Sequence, residues 1–569
     1  MSANLPMGPF NWHRQEGRPY ALGDHRSRKM LRTVEDKHPH LKQRIFQCYL
    51  RIADGATYHQ ADMWLESILD RLHLHDDLGG LKADSPFELF QSFSEKISRR
   101  LEREFTGHAV AVNGKEALNL LIREVHKAGM EFPVEPDDLT DKEKVIPALA
   151  RVFDSNWWRR RLRRKAYLSS EGVYRELGLV SKATNLYVSE YNFRRNLAAQ
   201  ASNEELLSLL TAENQFGYSA TLSSLKEKSV SNPRNRRNET MMRIGGLEDY
   251  ANEHGHVGVF YTLTCPSKYH ATHQNGHANA KFDGATPLDA QKYLNRVWAR
   301  VRAALKRTGI DWYGIRTVEP HHDGTPHWHL LMFLEKGDLP EANRIFREHA
   351  LQEDGAENGA EENRFVIEEI DPEKGRATGY VAKYISKSID GYEVGEDSYG
   401  NDAVESAARI RAWASIWGIR QFQFMGSPSV TVYRELRRLR NIEGDRKGLV
   451  QELEQAADNG DWKRYVELMG GTCLRLKDRP LRALMVPKPT ENKYHETVEH
   501  LKGLVGSAGR VITRIYEWTI GRTKPSENHL PAAGLEEISL RGANAPPWSS
   551  VNNCTSQNHL HEAPPPFFR

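Results

Sequence analysis

Two histidines that alternate along one short segment are the residues of this sequence best suited to chemistry. His327 and His329 stand two positions apart in the segment 327–334, whose apolar and β-rich pattern predicts a strand. Side chains two residues apart on a strand point to the same face, so both imidazoles can bind one divalent cation. Glu319 ends the preceding predicted strand, before a polar turn at 321–326. We therefore predict a metal site formed by His327, His329 and Glu319.

The third metal ligand has alternatives within the same turn. Glu319 comes before His327 by eight positions, and a turn of that length can still pair the two strands. His321 and Asp323 lie between them and offer the same kinds of donor atom. The sequence favours Glu319 as the ligand and leaves His321 and Asp323 as competitors.

A second group of reactive side chains follows on a predicted helix, Ala377–Ile389. Helical periodicity places tyrosines and lysines on one stripe, at positions i, i+3, i+4 and i+7: Tyr380, Lys383, Tyr384 and Lys387. The apolar residues fall on the other side of the helix, where they would pack on a sheet. Because the apolar face exists without the tyrosines, the polar stripe needs an explanation of its own.

These motifs are similar to those of a known family of enzymes. The segment His327–His329 resembles the His-hydrophobe-His motif of HUH endonucleases, and Tyr380 and Tyr384 resemble their paired catalytic tyrosines. The segment Phe260–Pro266 resembles the strand that precedes these motifs in rolling-circle replication initiators. All three occur in the family's order within 232–433, so the chain resembles the bacteriophage replication gene A protein family.

The resemblance implies a site-specific endonuclease and ligase that acts on single-stranded DNA at an origin and starts phage rolling-circle replication. Tyr380 or Tyr384 would attack a phosphate, form a 5′-phosphotyrosine link and leave a 3′-OH primer. Cβ atoms at i and i+4 of a helix are about 5–6 Å apart, so both phenols can reach one phosphate in turn. Lys383 and Lys387 would offset phosphate charge or help to handle the phenol proton.

The same chemistry predicts the cofactor and the partners. Histidine and carboxylate ligands with open positions suit Mg²⁺ or Mn²⁺ without excluding Zn²⁺ or Fe²⁺, and the resemblance favours Mg²⁺ or Mn²⁺. The sequence contains no Gly-x-x-x-x-Gly-Lys-Ser/Thr motif, so we expect no motor in this chain. The expected partners are single-stranded DNA, a host helicase and a host DNA polymerase.

Three other functions would also account for some of these residues. A relaxase or transposase would use the same core on a different DNA. Two histidines and a carboxylate also describe a non-haem iron oxygenase, but that function leaves the paired tyrosines unexplained. A DNA-binding protein without catalysis would make the histidines structural.

Composition places the chain among soluble globular proteins with more than one domain. Its 569 residues suit about two to four domains, with 39% hydrophobic and 27% charged residues. The four cysteines are scattered and form neither a disulfide framework nor a Cys-x-x-Cys site. No apolar run approaches the ~20 residues of a membrane helix, and no signal peptide is visible. We expect a protein of the bacterial host cytoplasm without membrane contact.

Basic residues are clustered even though the net charge is only +3. In the segment 151–165 seven basic residues stand against one acid, with Trp157 and Trp158 among them. Further basic clusters occupy 231–238 and 434–440. Such clusters beside a candidate nuclease core favour contacts with phosphates, and aromatic residues interleaved with arginines suit single-stranded DNA.

The fold class that these patterns predict is α+β, with a central antiparallel sheet and packed helices. We predict an endonuclease domain at 241–430, where the resemblance implies a ferredoxin-like HUH sheet. A mainly helical region at 1–240, suited to DNA or partner binding, precedes it. A helical region at 431–520 and a disordered tail at 521–569 follow it.

Individual elements of the endonuclease region are also predicted. Strands are expected at Val257–Thr264, Arg364–Ile370 and Ile419–Met425. A helix is expected to begin after Thr286, with Pro287 in its first turn and an apolar stripe of Leu294, Val297, Trp298, Val301 and Leu305. Further helices are expected at Pro340–Leu351 and Asp402–Trp417.

Overall fold

The computed structural model describes residues 25–522 apart from 76–79, 112–113, 372, 374, 393–394, 397–398, 441, 443–445 and 508. The predicted tail from 523 onwards lies outside the described residues. None of the helices in the described part of the chain is long and apolar enough to cross a membrane.

The first part of the chain is mainly helical, as predicted. Its elements are α1 (His25–Lys37), α2 (Lys42–Gly55), α3 (Tyr58–Leu72), β1 (His73–His75), β2 (Leu81–Lys82), α4 (Phe87–Ala111), α5 (Gly114–Lys127), α6 (Lys142–Val152), α7 (Ser155–Glu176), α8 (Glu190–Ser208), β3 (Leu210–Asn214), β4 (Ser219–Thr221) and α9 (Leu222–Glu227). Helices α1 to α7 bury a common apolar core that includes Ile45, Leu65, Phe90 and Trp158. The short pair β3–β4 interrupts a stretch that the sequence predicts to be helical.

The middle of the chain forms a five-stranded sheet with helices on both faces. Its elements are α10 (Pro233–Glu253), β5 (His256–Leu263), α11 (Pro287–Thr308), β6 (Trp312–Pro320), β7 (Pro326–Glu335), α12 (Leu339–Leu351), α13 (Ala360–Asn363), β8 (Phe365–Glu369), α14 (Ala377–Ile389), α15 (Ala403–Trp417) and β9 (Phe422–Met425). The strand order is β8-β5-β7-β6-β9, and every neighbouring pair is antiparallel. The α+β class and the antiparallel sheet are therefore confirmed.

Strand β7 is apolar on both faces because helices cover both sides of the sheet. On one face Trp328 and Leu330 join a core with α11, α12 and α15. On the other face Leu331 and Phe333 join a core with α10, α14 and the helices that follow β9. The two histidines of β7 share the parity of Leu331, so they point toward α14.

Local signals explain where two of the flanking helices begin. Thr286 and Asp289 form a reciprocal capping box at the start of α11, with Pro287 in the first turn. The predicted apolar stripe of α11 is buried in the core. Asp402 caps α15 by accepting a hydrogen bond from the backbone N–H of Glu405.

The prediction of a helical region at 431–520 is wrong in its second half. Helices α16 (Val430–Leu439), α17 (Leu449–Asp458) and α18 (Trp462–Leu468) are followed by strands β10 (Leu481–Pro487), β11 (Glu499–Gly506), β12 (Gly509–Ile512) and β13 (Trp518–Arg522). Gly503 permits the close approach of β12 to β11, because a Cβ there would lie 2.1 Å from the carbonyl oxygen of Val511. Strand β13 pairs with β3, so residues 521 and 522 belong to a sheet rather than to a tail.

The predicted domain boundaries stay predictions. Helices α16 to α18 contribute Val432, Leu453 and Trp462 to the same apolar core as the site face of the sheet. The region after 430 therefore supports the sheet directly.

Candidate metal and tyrosine site

The hairpin β6–β7 brings the predicted metal ligands together. Glu319 stands directly opposite His327 in the register, and Thr317 stands opposite His329. The turn closes with a hydrogen bond of 2.7 Å from the backbone N–H of His321 to the carbonyl oxygen of Thr325. The separation of Glu319 from His327 in sequence is thus accommodated by a tight connection between paired strands.

Glu319, His327 and His329 form a compact group of potential ligands. One potential ligand atom from each residue lies within 4.8 Å of the others. Among the described residues, no other set of three His, Cys, Asp or Glu side chains comes as close together. Glu319 is 1% exposed and His329 is 7% exposed, while His327 is half-buried. The geometry fits the predicted site, and the role of these residues as ligands stays a prediction.

The two imidazoles are prepared to act as ligands. The hydroxyl of Thr262 lies 3.0 Å from Nδ1 of His329, so Nε2 is the nitrogen of that ring that would bind a metal ion. Nδ1 of His327 is buried and has no hydrogen-bond partner among the described residues. Burial lowers the pKa of His329 to about 4 and the pKa of His327 well below its usual value. Both rings are therefore neutral near pH 7 and their lone pairs suit a divalent cation.

The carboxylate of Glu319 is held by the far end of α14. The hydroxyl of Ser388 donates a hydrogen bond of 2.8 Å to Oε1 of Glu319. Nζ of Lys387 lies 3.6 Å from Oε2, so this lysine faces the carboxylate. Lys383 is exposed on the same helix. The two lysines of the predicted stripe therefore have different surroundings.

The two tyrosines lie on the same side of the sheet as the imidazoles. The ring centroid of Tyr384 is 4.5 Å from that of His329, and the ring of Tyr380 is 6.0 Å from that of Tyr384. Both phenol rings contact Phe260, which also stacks on His329. Tyr380 is 37% exposed and Tyr384 is half-buried. The Tyr384 ring thus contacts the His329 ring directly, and the Tyr380 ring contacts the same aromatic group through Phe260.

Burial and negative charge make the Tyr384 phenol harder to ionise. Its burial raises the pKa, and the charges of Glu368 and then of Glu319 raise it further. The hydroxyl of Tyr380 donates a hydrogen bond to Oε2 of Glu368 on strand β8. Glu368 is thus close to both phenols.

The alternative third ligands occupy different positions. The Asp323 carboxylate is fully buried and accepts hydrogen bonds from the backbone N–H groups of Ala271 and Thr325, at 2.9 and 3.0 Å. His321 remains beside the group, with its ring centroid 4.1 Å from that of His327. Of the three candidates, Glu319 has the position that best completes the pair of histidines.

Sequence reasoning missed four residues of the site: Thr262, Ser388, Glu368 and Arg175. Thr262 lies on β5, opposite His329 in the register, and Glu368 lies opposite Phe260 on the other side of that strand. Strand alternation could have placed Thr262 and Glu368 on the site face once the register was known. Arg175 reaches the hairpin turn from α7, and no local pattern signals that contact.

The tryptophans of the first basic cluster, 151–165, are not available to stack on DNA bases as the sequence suggested. Trp157 and Trp158 are buried in the core of the helical region, so neither ring is presented to DNA. Both are buried because they lie on the face of α7 that packs on its neighbouring helices. In the third cluster Arg434 forms an ion pair with Glu239 on α10, at 2.5 Å.

The fold and the site together define a class of protein. It is an α+β protein whose antiparallel sheet carries two histidines and a glutamate beneath a helix with two tyrosines. The family described as bacteriophage replication gene A protein (GPA) matches residues 83–392, more than half of the 569 residues. The chain belongs to this family.

Relatives from phages and prophages are similar over most of this chain. The replication gene A protein of Escherichia phage 186 is 42% identical over 439 residues, which cover 75% of this chain and 61% of the relative. The replication gene A protein of Escherichia phage P2 is 37% identical over 427 residues, covering 72% and 55%. A probable replication endonuclease from a prophage-like region of Salmonella paratyphi A is 33% identical over 439 residues, covering 74% and 54%.

The matched part of the chain spans between 54% and 61% of the length of these three relatives. No solved structure matches the chain.

Proposed function

We propose that this protein is a metal-dependent, site-specific endonuclease of the HUH class that starts phage rolling-circle replication. It would nick single-stranded DNA at an origin through a 5′-phosphotyrosine intermediate, leave a 3′-OH primer and rejoin the strand later. Membership of the replication gene A family supports this proposal, as does the name of the Salmonella relative, a probable replication endonuclease. The five-stranded antiparallel sheet is consistent with the ferredoxin-like sheet that the resemblance implies.

One observation carries the proposal. The ring of Tyr384 lies 4.5 Å from the ring of His329, which itself belongs to the compact group with His327 and Glu319. A phenol and a compact group of potential metal ligands therefore lie side by side, which supports the roles proposed for them. A non-haem oxygenase has no need of a tyrosine stripe on that side, so the arrangement favours phosphoryl chemistry.

Different residues of the site have different roles in the proposed reaction. A bound Mg²⁺ or Mn²⁺ would supply polarisation of the phosphate and stabilise the charge of the transition state. Thr262 and Ser388 hold His329 and Glu319 in orientation, because each donates or accepts a hydrogen bond at the ligand group. Tyr384 or Tyr380 attacks phosphorus, and the 3′ oxygen leaves. The phosphotyrosine bond conserves the energy of the phosphodiester, so rejoining needs no ATP.

A covalent-adduct experiment tests the proposal. The protein would be incubated with labelled, random-sequence single-stranded DNA and Mn²⁺, and then analysed on a denaturing gel. We expect a DNA–protein band that maps to the peptide of α14 and is absent from the double variant Tyr380→Phe/Tyr384→Phe. Tyr58→Phe is the matched control, because Tyr58 is an exposed tyrosine on α3, outside the site. A double variant that still forms the adduct would contradict the proposal.

The expected partners follow from the same function. Origin single strands are the substrate, and a host helicase and DNA polymerase would open the duplex and extend the 3′-OH. A relaxase or transposase would share the core residues, and membership of the replication gene A family favours replication over these functions. Competition between phage origin strands and unrelated strands would separate these substrates.

A further inference from the structure

The two phenols of the site differ in their hydrogen-bonding surroundings. Tyr384 lies against His329, whereas the hydroxyl of Tyr380 donates to Oε2 of Glu368. The hydroxyl oxygen is the atom through which a tyrosine attacks phosphorus. Glu368 therefore touches a reacting atom at one phenol and not at the other.

The fold places Glu368 firmly with respect to Tyr380. Glu368 pairs with Phe260 in the register of β8 and β5, and the ring of Phe260 is 4.9 Å from the ring of Tyr380. The start of α14 is tied to α10, because the Glu248 carboxylate accepts hydrogen bonds from the backbone N–H groups of Ala377 and Thr378. Both sides of the contact between Tyr380 and Glu368 are thus anchored to rigid elements.

A purely structural role explains this contact poorly. Glu368 is exposed on an edge strand, and Tyr380 is also exposed. Water competes for both groups at an exposed position, so their hydrogen bond adds little to stability. A carboxylate near a phosphate site would also repel the substrate unless it has a function there. The contact needs a chemical explanation.

We propose that Glu368 is the general base for Tyr380 and not for Tyr384. In the cleavage step the bond from Oη of Tyr380 to phosphorus forms and the bond from phosphorus to the 3′ oxygen breaks. The phenol proton passes to Oε2 of Glu368, while the 3′ oxygen leaves with the bonding pair and takes a proton from water. In the reverse, rejoining step the 3′-OH attacks phosphorus and gives its proton back to the solvent, the bond from phosphorus to Oη of Tyr380 breaks, and the protonated Glu368 returns its proton to the departing phenol oxygen, as microscopic reversibility requires.

This inference rests on the proposed function and assigns a general base to one of the two tyrosines. A phenol has a pKa of about 10, so a positioned base is valuable at neutral pH. Tyr380 has such a base in Glu368, whereas for Tyr384 the same carboxylate is only a nearby negative charge. Removal of that charge should therefore impair one nucleophile selectively.

The experiment measures the single-turnover rate of adduct formation by each tyrosine alone. Tyr384→Phe leaves Tyr380 as the nucleophile of the site, and Tyr380→Phe leaves Tyr384. Glu368→Gln is then added to each background, because the amide keeps the size and the acceptor oxygen of the side chain but cannot take the proton. We expect Glu368→Gln to slow adduct formation by Tyr380 at least about tenfold more than adduct formation by Tyr384.

Two further variants control for structure. Glu369→Gln changes the neighbouring exposed glutamate of β8, whose side chain points to the opposite face of the strand, so it should not produce the asymmetry. Glu368→Asp keeps a carboxylate and should restore part of the Tyr380 rate. Thermal melting of every variant would show whether the fold is retained.

The outcomes separate this inference from the proposed function. A wild-type protein that forms no adduct would overturn the proposed function and the inference with it. Adducts in the wild type combined with equal losses at both tyrosines, or with no loss at Tyr380, would overturn the role of Glu368 alone.

Discussion

Arg175 on helix α7 forms a buried ion pair with Asp323 in the turn between β6 and β7, with 3.3 Å between Nη2 and Oδ2. The same guanidinium donates to the carbonyl oxygen of Asp323, at 2.8 Å, and to the hydroxyl of Thr325, at 2.7 Å. Glu319 and His327 lie just outside the two ends of this turn. A residue from the N-terminal helices thus fixes the connection that spaces two predicted metal ligands.

Replacement of Arg175 by Met would leave the buried Asp323 carboxylate without its arginine partner. Removal of one partner of a buried ion pair costs about 3–5 kcal/mol. We expect Arg175→Met to lose free energy of unfolding of that order in urea denaturation. Because the turn loses its anchor, the variant should also bind Mn²⁺ more weakly, as measured by calorimetry where it remains folded.

Arg364→Met is the matched control for that prediction. Arg364 is also buried, but it donates to the hydroxyl of Tyr293 and the carbonyl oxygen of Ala350, away from the turn. This control should lose stability and keep the Mn²⁺ affinity of the wild type. Equal Mn²⁺ affinity in Arg175→Met and the wild type would contradict a role for Arg175 in the site.

The ion pair also predicts a dependence of stability on pH. Burial raises the pKa of the Asp323 carboxyl, but the charges of His270 and Arg175, with a smaller contribution from His322, outweigh it and hold the pKa well below its usual value. A carboxyl with a lowered folded pKa stabilises the fold above its unfolded pKa, and the contribution is lost as the pH falls through the folded pKa. The difference in melting temperature between the wild type and Asp323→Asn should therefore shrink as the pH falls below about 4, where an unfolded Asp begins to take up its proton. A difference that grows below that pH would contradict the assignment.

Glu319→Gln tests the third metal ligand directly. Loss of the carboxylate removes a donor from the group with His327 and His329, so we expect Mn²⁺ affinity to fall at least about tenfold. Asp323→Asn should lower the affinity less, because the oxygens of Asp323 are engaged within the turn. Glu335→Gln, at the other end of β7, is a control without an expected effect. A larger loss in Asp323→Asn than in Glu319→Gln would reverse the assignment of the ligand.

Patterns confined to one element predicted that element well. Helix α14 begins at Ala377 and ends at Ile389, as its sequence predicts, because its apolar side is continuous at helical spacing. The hairpin that pairs Glu319 with His327 was likewise predictable, since the predicted ligands and the turn lie in one local stretch. Sequence reasoning therefore identified the site residues that belong to a recognisable local pattern, such as the hairpin or the helix stripe.

The remaining features depend on contacts between distant segments. The contact of Glu368 with Tyr380 requires the register of β8 against β5, and the contact of Arg175 with Asp323 joins positions far apart in the chain. Strand β10 contains an apolar run that local pattern does not distinguish from a helix, and its pairing with β11 decides the matter. The arginines beside Trp157 and Trp158 suggested that both rings could stack on DNA bases, but tertiary packing buries both.

Three arginines lie near the Asp390 carboxylate at the C-terminal end of α14: Arg236, Arg237 and Arg411. Arg237 pairs with Asp390 at 3.0 Å, and Arg411 donates to the carbonyl oxygen of Ile389. Nε of Arg236 is buried and has no hydrogen-bond partner among the described residues. After burial, the charge of Arg236 is the main cause that lowers the pKa of the Arg411 guanidinium, so the two cations are close together.

A DNA phosphate would relieve this repulsion, and Arg236→Met tests that expectation. Each phosphate contact with single-stranded DNA contributes about −0.7 to the slope of log K against log salt concentration. We expect Arg236→Met to weaken binding of single-stranded DNA and to make that slope shallower by about 0.7. Arg475→Met is the control, because Arg475 is exposed and forms an ion pair with Asp478 outside the site. An unchanged slope in Arg236→Met, measured by fluorescence anisotropy over a salt series, would show that this cluster does not contact the phosphate backbone.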